Sequence, residues 1–565
     1  MLNQFNYTLP QEIESGVKKT LEDWRTSGNV NRIWNKDASV WTNSDEDKWL
    51  GWLGIAEKEL SGIQKYHDLA DDVRSADFEN LVLLGMGGSS LCPEVLAVTF
   101  GVENFHILDS TVPAQIKTLE SKIDVSKTLF FVASKSGSTL EPNTFFQFFW
   151  EKVSAAVGSE NAGRHFIAIT DPDSKLHKLA AEENFRHIFF GEPSVGGRFS
   201  ALSVFGMVPG AAMGIDVDDF LKRALEMVNA CKTDLPSENP GVLLGAILGV
   251  CHQHGRDKLT IFTSPELYDA GAWLEQLIAE STGKNGVSII PIDRERFVKA
   301  VDYDEDRIFV YLKLKDTKDN SLDSKISSLE AYEHPFVEIE LADKTDLGQE
   351  FFRLEFATAV AGAIMSINPF DQPDVEAAKV EAKALTEKYE ETGELPHEEP
   401  FFEEGGIKLF SSEKYIEQLN NFVGVEKSLE KYINAHIIHL QEYDYFAVLA
   451  YLEMNAENER LLQELRHKVL KKELTATALG FGPRFLHSTG QAYKGGANNG
   501  VFLQITSEDA EDIPVPGQKY TFGVVKAAQS RGDFQVLLDR DRRALRLHIG
   551  ESVKHDLEKI LSLIT

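Results

Sequence analysis

Leu129-Phe130-Phe131-Val132-Ala133, followed by Ser134-Lys135-Ser136-Gly137-Ser138-Thr139, reads as a buried strand that closes in a small-residue loop and opens a helix. An apolar run this short and uninterrupted suits a strand covered on both faces, as in a parallel sheet. The loop after it holds four hydroxyls, one lysine and backbone N–H groups at a helix N-terminus. Such a loop attracts an anion through its amides and the helix dipole, and Lys135 adds a point charge. A helix cap uses one hydroxyl; the surplus points to a phosphorylated small molecule.

The pattern repeats on both sides. Apolar runs stand at 81–84, 105–108, 128–133, 166–170 and 187–190, each followed by a turn signal and most by helical spacing. A second series stands at 258–263, 287–292, 307–312 and 336–341, with 267–281 and 347–367 reading as helices. Alternation of this kind predicts an α/β protein with doubly wound parallel sheets. The expected division is a helical N-terminal segment, 1–80; two α/β domains, 81–215 and 216–385; an acidic linker, 386–405; and a C-terminal helical and α/β region, 406–565. Tryptophans 24, 34, 41, 49 and 52 suggest that the first segment covers a neighbouring domain. The stretch 413–473 reads as mostly helical, and 474–565 as alternating strand and helix. One internal echo links 336–363 to 501–532: strand, acidic turn, Gly-Gln, an aromatic residue and a small-residue helix, as a partial duplication would leave.

The chain has 565 residues and a net charge of -31. That field repels nucleic acid and anionic membranes, and it requires basic residues to be gathered wherever an anionic substrate binds. Three cysteines, Cys92, Cys231 and Cys251, without a C-x-x-C spacing argue against a disulfide framework and for a reducing compartment. The N-terminus has no signal-peptide pattern and no run of 18 apolar residues exists, so a cytoplasmic protein is expected.

Further candidates follow from local chemistry. Gly85-Met86-Gly87-Gly88-Ser89-Ser90 after strand 81–84 lets a ligand approach the backbone. No acidic residue at dinucleotide spacing follows, so a nicotinamide cofactor is not favoured, and no cofactor is expected. Gly196-Gly197-Arg198-Phe199-Ser200 frees the backbone to aim a guanidinium inward, where it can stabilise an oxyanion. Glu280, late in Leu274-Glu275-Gln276-Leu277-Ile278-Ala279-Glu280, is a carboxylate whose desolvation at the end of an apolar helix would make it a usable base. Gln372 and Lys379 stand at the start of and on a helix after Asn368-Pro369-Phe370-Asp371. His487 opens His487-Ser488-Thr489-Gly490-Gln491 and can shuttle protons near neutrality. The pairs His252/His254 and His436/His439 lack further ligands at useful spacing, so no metal is expected.

Together, GMGGSSL (85–91), SKSGSTLEP (134–142), GGRFS (196–200), AESTGK (279–284) and INPFDQPDVEAAK (367–379) resemble the phosphoglucose isomerase family, built from paired sugar isomerase domains. The resemblance is strongest to the isomerase half of bifunctional transaldolase/phosphoglucose isomerase chains; with the first motif at 85, no transaldolase domain fits before it. It implies interconversion of glucose 6-phosphate and fructose 6-phosphate. Ser134, Lys135, Ser136 and Thr139 would hold the phosphate, with Gly88 and Ser89 beside it. Glu280 would move the proton through a cis-enediol, Arg198 would stabilise it, Gln372 would touch the sugar, and Lys379 would assist ring opening. Alternatives are a sugar-phosphate-binding regulator and an isomerase that also accepts mannose 6-phosphate.

One departure stands out. Related enzymes carry a ring-opening histidine in an H-S-x-G-Q element soon after the glutamate. Here His334 is the sole histidine between 280 and 379, and the element recurs at 487–491. The expectation is that the C-terminal region brings His487 to the site. Delivery within one chain and delivery from a partner in a homodimer both remain open.

Overall fold

The computed structural model describes residues 1–317 and 321–565. The chain opens with strand β1 (Gln4–Thr8). The first sheet comprises β2 (Asn80–Leu84), β3 (Phe105–Leu108), β4 (Thr128–Ala133), β5 (Phe166–Thr170) and β6 (His187–Phe190) in the order β3-β2-β4-β5-β6, with every pair parallel. All six residues of β4 are buried. Leu129, Phe131 and Ala133 join one core cluster while Phe130 and Val132 join another. Alternate side chains thus feed two cores, one per face, which is why Leu129–Ala133 carries no polar residue.

The second sheet contains β7 (Lys258–Thr263), β8 (Ile290–Asp293), β9 (Arg307–Leu314) and β10 (Phe336–Leu341), ordered β10-β9-β7-β8 and parallel. β1 extends it, antiparallel, pairing Gln4 with Glu340 and Thr8 with Phe336. The N-terminal segment is therefore not purely helical. The rest of the segment is a cover. Trp34 stacks on Phe352 and Phe356, and the fully buried Trp52 meets Phe199, Phe352 and Phe356. Phe352 and Phe356 belong to the helix Leu347–Ile364, so aromatic rings clamp the two domains together. Each such buried ring contributes about 1.5–3 kcal/mol or more.

The C-terminal region departs most from expectation. It forms a third sheet from β11 (Phe402–Glu404), β12 (Ile407–Phe410), β13 (Tyr445–Tyr451), β14 (Ala476–Phe481), β15 (Gly500–Ser507) and β16 (Arg543–Ile549), ordered β11-β12-β16-β15-β13-β14. Its interior strand β13 is entirely buried and falls within 413–473, which reads as helical. A seven-residue apolar run is compatible with either state, and burial on both faces decided for strand. The helix Pro373–Thr392 runs past residue 385 into the acidic stretch. Beyond it, Glu398 pairs with Arg531 and Arg546.

The four parallel strands of the third sheet are wound in the same order as those of the second: fourth, third, first, second, with an antiparallel strand beside the fourth in each. The sequence echo is out of step with this repeat. It matches β10, fourth in its unit, to β15, third in its own. Shared βα chemistry accounts for it. Among the described residues, no helix is long and apolar enough to cross a membrane.

Candidate active site

The phosphate loop is compact. The Ser134 amide donates to Ile169 O at 3.0 Å, which pins the loop to the end of β5. Gly137 takes a left-handed φ of +64° and packs against Leu176. Ser136 and Ser138 share a hydroxyl contact of 2.8 Å, and Ser134 Oγ donates to Thr139 Oγ1 at 3.3 Å. Thr139 makes no side-chain cap to the helix Leu140–Val157, which leaves its hydroxyl for a ligand. Lys135 differs from expectation: its Nζ lies 2.5 Å from Asp171 Oδ2 and donates to Pro193 O at 3.1 Å. Its charge is engaged by Asp171, which leaves hydroxyls and backbone amides as the loop's other donors.

The glycine loop is pressed between neighbours. A Cβ at Gly88 would lie 2.1 Å from Gly197 O, and one at Gly87 would lie 3.1 Å from His487 Cβ. These glycines let the turn that carries Arg198 and the element that carries His487 converge. Ser200 Oγ donates to Gly88 O at 3.3 Å, tying the first two together.

Arg198 is buried and fully engaged. Nε donates to Ser281 Oγ (2.8 Å), Nη1 to Gln372 Oε1 (2.9 Å), and Nη2 to Pro369 O (2.6 Å) and Asp371 O (2.9 Å). Burial pulls its pKa down, against the charges of Glu280 and Asp371. Its Nη1 stands 3.6 Å from Glu280 Oε1. Glu280 is 7% exposed near the end of the helix Ala270–Thr282, and its Oε2 accepts from Gln276 Nε2 at 3.1 Å. The same Gln276 group donates to His487 O at 2.8 Å. Gln276 was not among the expected site residues, although its i,i+4 spacing from Glu280 puts both on one helix face.

His487 reaches this site within the chain. Its Nε2 lies 3.1 Å from Glu141 Oε1, and no protein partner of Nδ1 is found among the described residues. Burial alone would raise the Glu141 carboxyl, but the His487 charge and hydrogen bond hold it below the usual carboxylate range. Gln491 anchors the element: its Oε1 accepts from the amides of Asp374 and Val375, and its Nε2 donates to Gly283 O and Asp374 Oδ2. His334 lies elsewhere, in an aromatic cluster with Tyr303 and Phe309, its Nε2 on Ala300 O at 3.0 Å.

A cavity of about 930 Å³ opens beside the 134–139 loop, lined by Ser136, Ser138, Thr139, Glu141, Lys379 and His487, with Lys175 and Lys383 also on its wall; Glu280, Arg198 and the glycine loop do not line it. Lys379 is 47% exposed and pairs with Glu376 at 2.9 Å. Gln372 stands at the N-cap position of the helix Pro373–Thr392 without a side-chain cap bond, its Oε1 accepting from Arg198 instead. Lys175, Lys379 and Lys383 share this cavity with Glu141, Glu376, Glu387 and Glu390, so the concentration of basic residues expected from a net charge of -31 is not found here. Among the described residues, no group of three or more His, Cys, Asp or Glu side chains could hold a metal ion.

Lys284 is a further buried cation. Its Nζ donates to Asp371 Oδ1 at 2.7 Å. Burial, then the Arg198 charge, bring its pKa down to about 8 from the usual 10.5. The folded state therefore releases this proton before the unfolded state does. The stability cost of the buried ammonium is relieved as pH rises from about 8 to 10.5, while its hold on Asp371 is lost earlier, as pH rises through about 8 in the folded state. Asp371 O is an Arg198 acceptor, so turnover is expected to fall as pH rises through about 8. In Lys284→Arg, which stays charged, that alkaline limb should move to higher pH. A limb unmoved in a pH–rate profile of the variant would refute the assignment.

The family model for phosphoglucose isomerase matches residues 64–296. The match takes in the phosphate loop, the glycine loop, Arg198 and Glu280, but neither Lys379 nor His487. A glucose-6-phosphate isomerase of Campylobacter jejuni is 29% identical over 382 residues, 60% of this chain and 92% of that protein. A probable glucose-6-phosphate isomerase of Methanococcus maripaludis is 26% identical over 394 residues, 63% of this chain and 89% of its own. Among solved structures, a hypothetical protein of Thermus thermophilus aligns with a TM-score of 0.59 at 23% identity, covering 67% of this chain and 99% of that one. A glucose-6-phosphate isomerase of Chlamydia trachomatis aligns at 0.50 and 22%, covering 59% and 74%. These two show a shared fold.

Proposed function

We propose that this chain, whose residues 64–296 belong to the phosphoglucose isomerase family, interconverts glucose 6-phosphate and fructose 6-phosphate. One observation carries the reading: a buried carboxylate, Glu280, stands 3.6 Å from a buried guanidinium whose other donors are all occupied. Aldose–ketose exchange needs that pair. Glu280 takes the proton from C2, negative charge spreads over the enediolate oxygens beside Arg198, and the proton returns to C1. The hydroxyls of Ser134, Ser136 and Thr139 hold the phosphate, with Gly88 and Ser89 at the sugar end. Ring opening comes first: C1–O5 breaks, O5 gains a proton and O1 loses one. His487 Nδ1 and Lys379 Nζ are the pair assigned to give the one and take the other.

His487 and Glu141 meet within one chain, which supports a site complete without a partner subunit. The three cysteines are buried and unpaired, which suits a reducing cytoplasm. The test is direct. The purified protein given fructose 6-phosphate should form glucose 6-phosphate, read by a coupled dehydrogenase. Binding without turnover would make it a regulator instead. Competition by mannose 6-phosphate, with fructose 6-phosphate as its product, would mark a broader isomerase.

A further inference from the structure

Gln529 belongs to the helix Phe522–Asp539 of the C-terminal region, and the reaction as described assigns it no part. It is 4% exposed. Its Nε2 donates to Glu141 Oε1 at 2.6 Å, and its Oε1 accepts from Thr111 Oγ1 at 2.6 Å. Its backbone carbonyl accepts from Tyr451 OH at 3.5 Å. The two side-chain contacts fix the amide: the opposite orientation would set the carbonyl against a carboxylate. We propose that Gln529 is a positioning residue for ring opening, acting on the sugar through Glu141 and His487.

This role of Gln529 rests on the isomerase reading and adds a requirement to it. Glu141 Oε1 accepts from Gln529 and faces His487 Nε2. While Gln529 supplies its proton, the carboxylate stays an acceptor. Nε2 of His487 then keeps its hydrogen, and Nδ1 is left to exchange protons with the substrate. The other charged group facing Glu141 is Lys379, whose attraction is weaker. Without the Gln529 donor, Glu141 is easier to protonate, and the imidazolium loses part of its counter-charge. The titration of His487 should then fall to lower pH.

The test uses the full chain with 15N-labelled histidine. Gln529→Leu should slow enzyme-catalysed exchange of the α and β anomers of glucose 6-phosphate by about 10–100-fold. It should leave KM unchanged and lower the pH at which His487 titrates. Gln529→Glu should restore the exchange at low pH, where one shared proton supplies the donor, and lose it as that proton leaves. Should the leucine variant fail to fold, Thr111→Val frees the amide instead, with a smaller shift of the same sign. A His487 titration and anomer exchange equal to the unaltered protein's would overturn the proposal, as would a loss of Tm and of every rate together with the titration unmoved. If the unaltered protein converts no hexose phosphate yet the titration moves in Gln529→Leu, the positioning stands and the isomerase reading falls.

Discussion

Glu280→Gln is expected to lower kcat for interconversion of the aldose and ketose phosphates by about 10²–10⁴-fold, with KM nearly unchanged. The amide has the shape of the carboxylate and cannot accept a proton at C2. It can still accept from Gln276, which now donates to Glu280 Oε2 at 3.1 Å. Arg198 keeps its bonds to Ser281, Gln372, Pro369 and Asp371, so no orphaned cation is left. The fold should survive, with only a small change in Tm. The decisive measurement is exchange of the C2 hydrogen with deuterated solvent, which reports proton abstraction apart from ring opening. Exchange at the unaltered rate would remove Glu280 from the mechanism. Sugar-phosphate binding should persist in the variant, because the phosphate loop is on a different sheet.

Much of this site was legible because its parts are local. The nine strand positions read from 81 to 341 stand where apolar runs end in turn residues, and the structure forms a strand overlapping each of them. What escaped depends on residues far apart. Strand β1, Gln-Phe-Asn-Tyr-Thr, gains its identity only from pairing with β10 more than three hundred residues on. β13 was hidden because a fully buried strand has no polar alternation to reveal it. Lys135 carried the right charge in the right loop, yet Asp171, 36 residues later, claims it. The H-S-x-G-Q element favoured His487 over His334 but did not name its partner. The fold supplies that, placing His334 on Ala300 O in a core and His487 on Glu141 at the cavity. Glu141 and Lys284 lay inside quoted motifs with no task assigned, since a second partner is what gives a buried charge its role.

Arg198→Lys should cost about 10²–10³ in kcat, and unlike the glutamate change it should also cost stability. The guanidinium reaches Ser281 through Nε, Gln372 and the Glu280 carboxylate through Nη1, and the carbonyls of Pro369 and Asp371 through Nη2. These acceptors lie on different sides of a planar fork. A lysine ammonium is a single point with three donors, so it cannot hold both the Ser281 hydroxyl and the 369–371 carbonyls while facing Glu280. Each buried acceptor left unpaired costs about 1–3 kcal/mol, and Tm should fall accordingly. The kinetic loss should appear in kcat more than in KM, because charge builds on the enediolate only as the C2 proton leaves. Arg198→Ala should lose still more rate, since nothing then offsets that charge, and added guanidinium ions should restore part of it at concentrations that leave the unaltered protein folded. An alanine variant that turned over at the unaltered rate would show that the charge is stabilised elsewhere, with Lys284, the other buried cation bound to Asp371, the next group to replace.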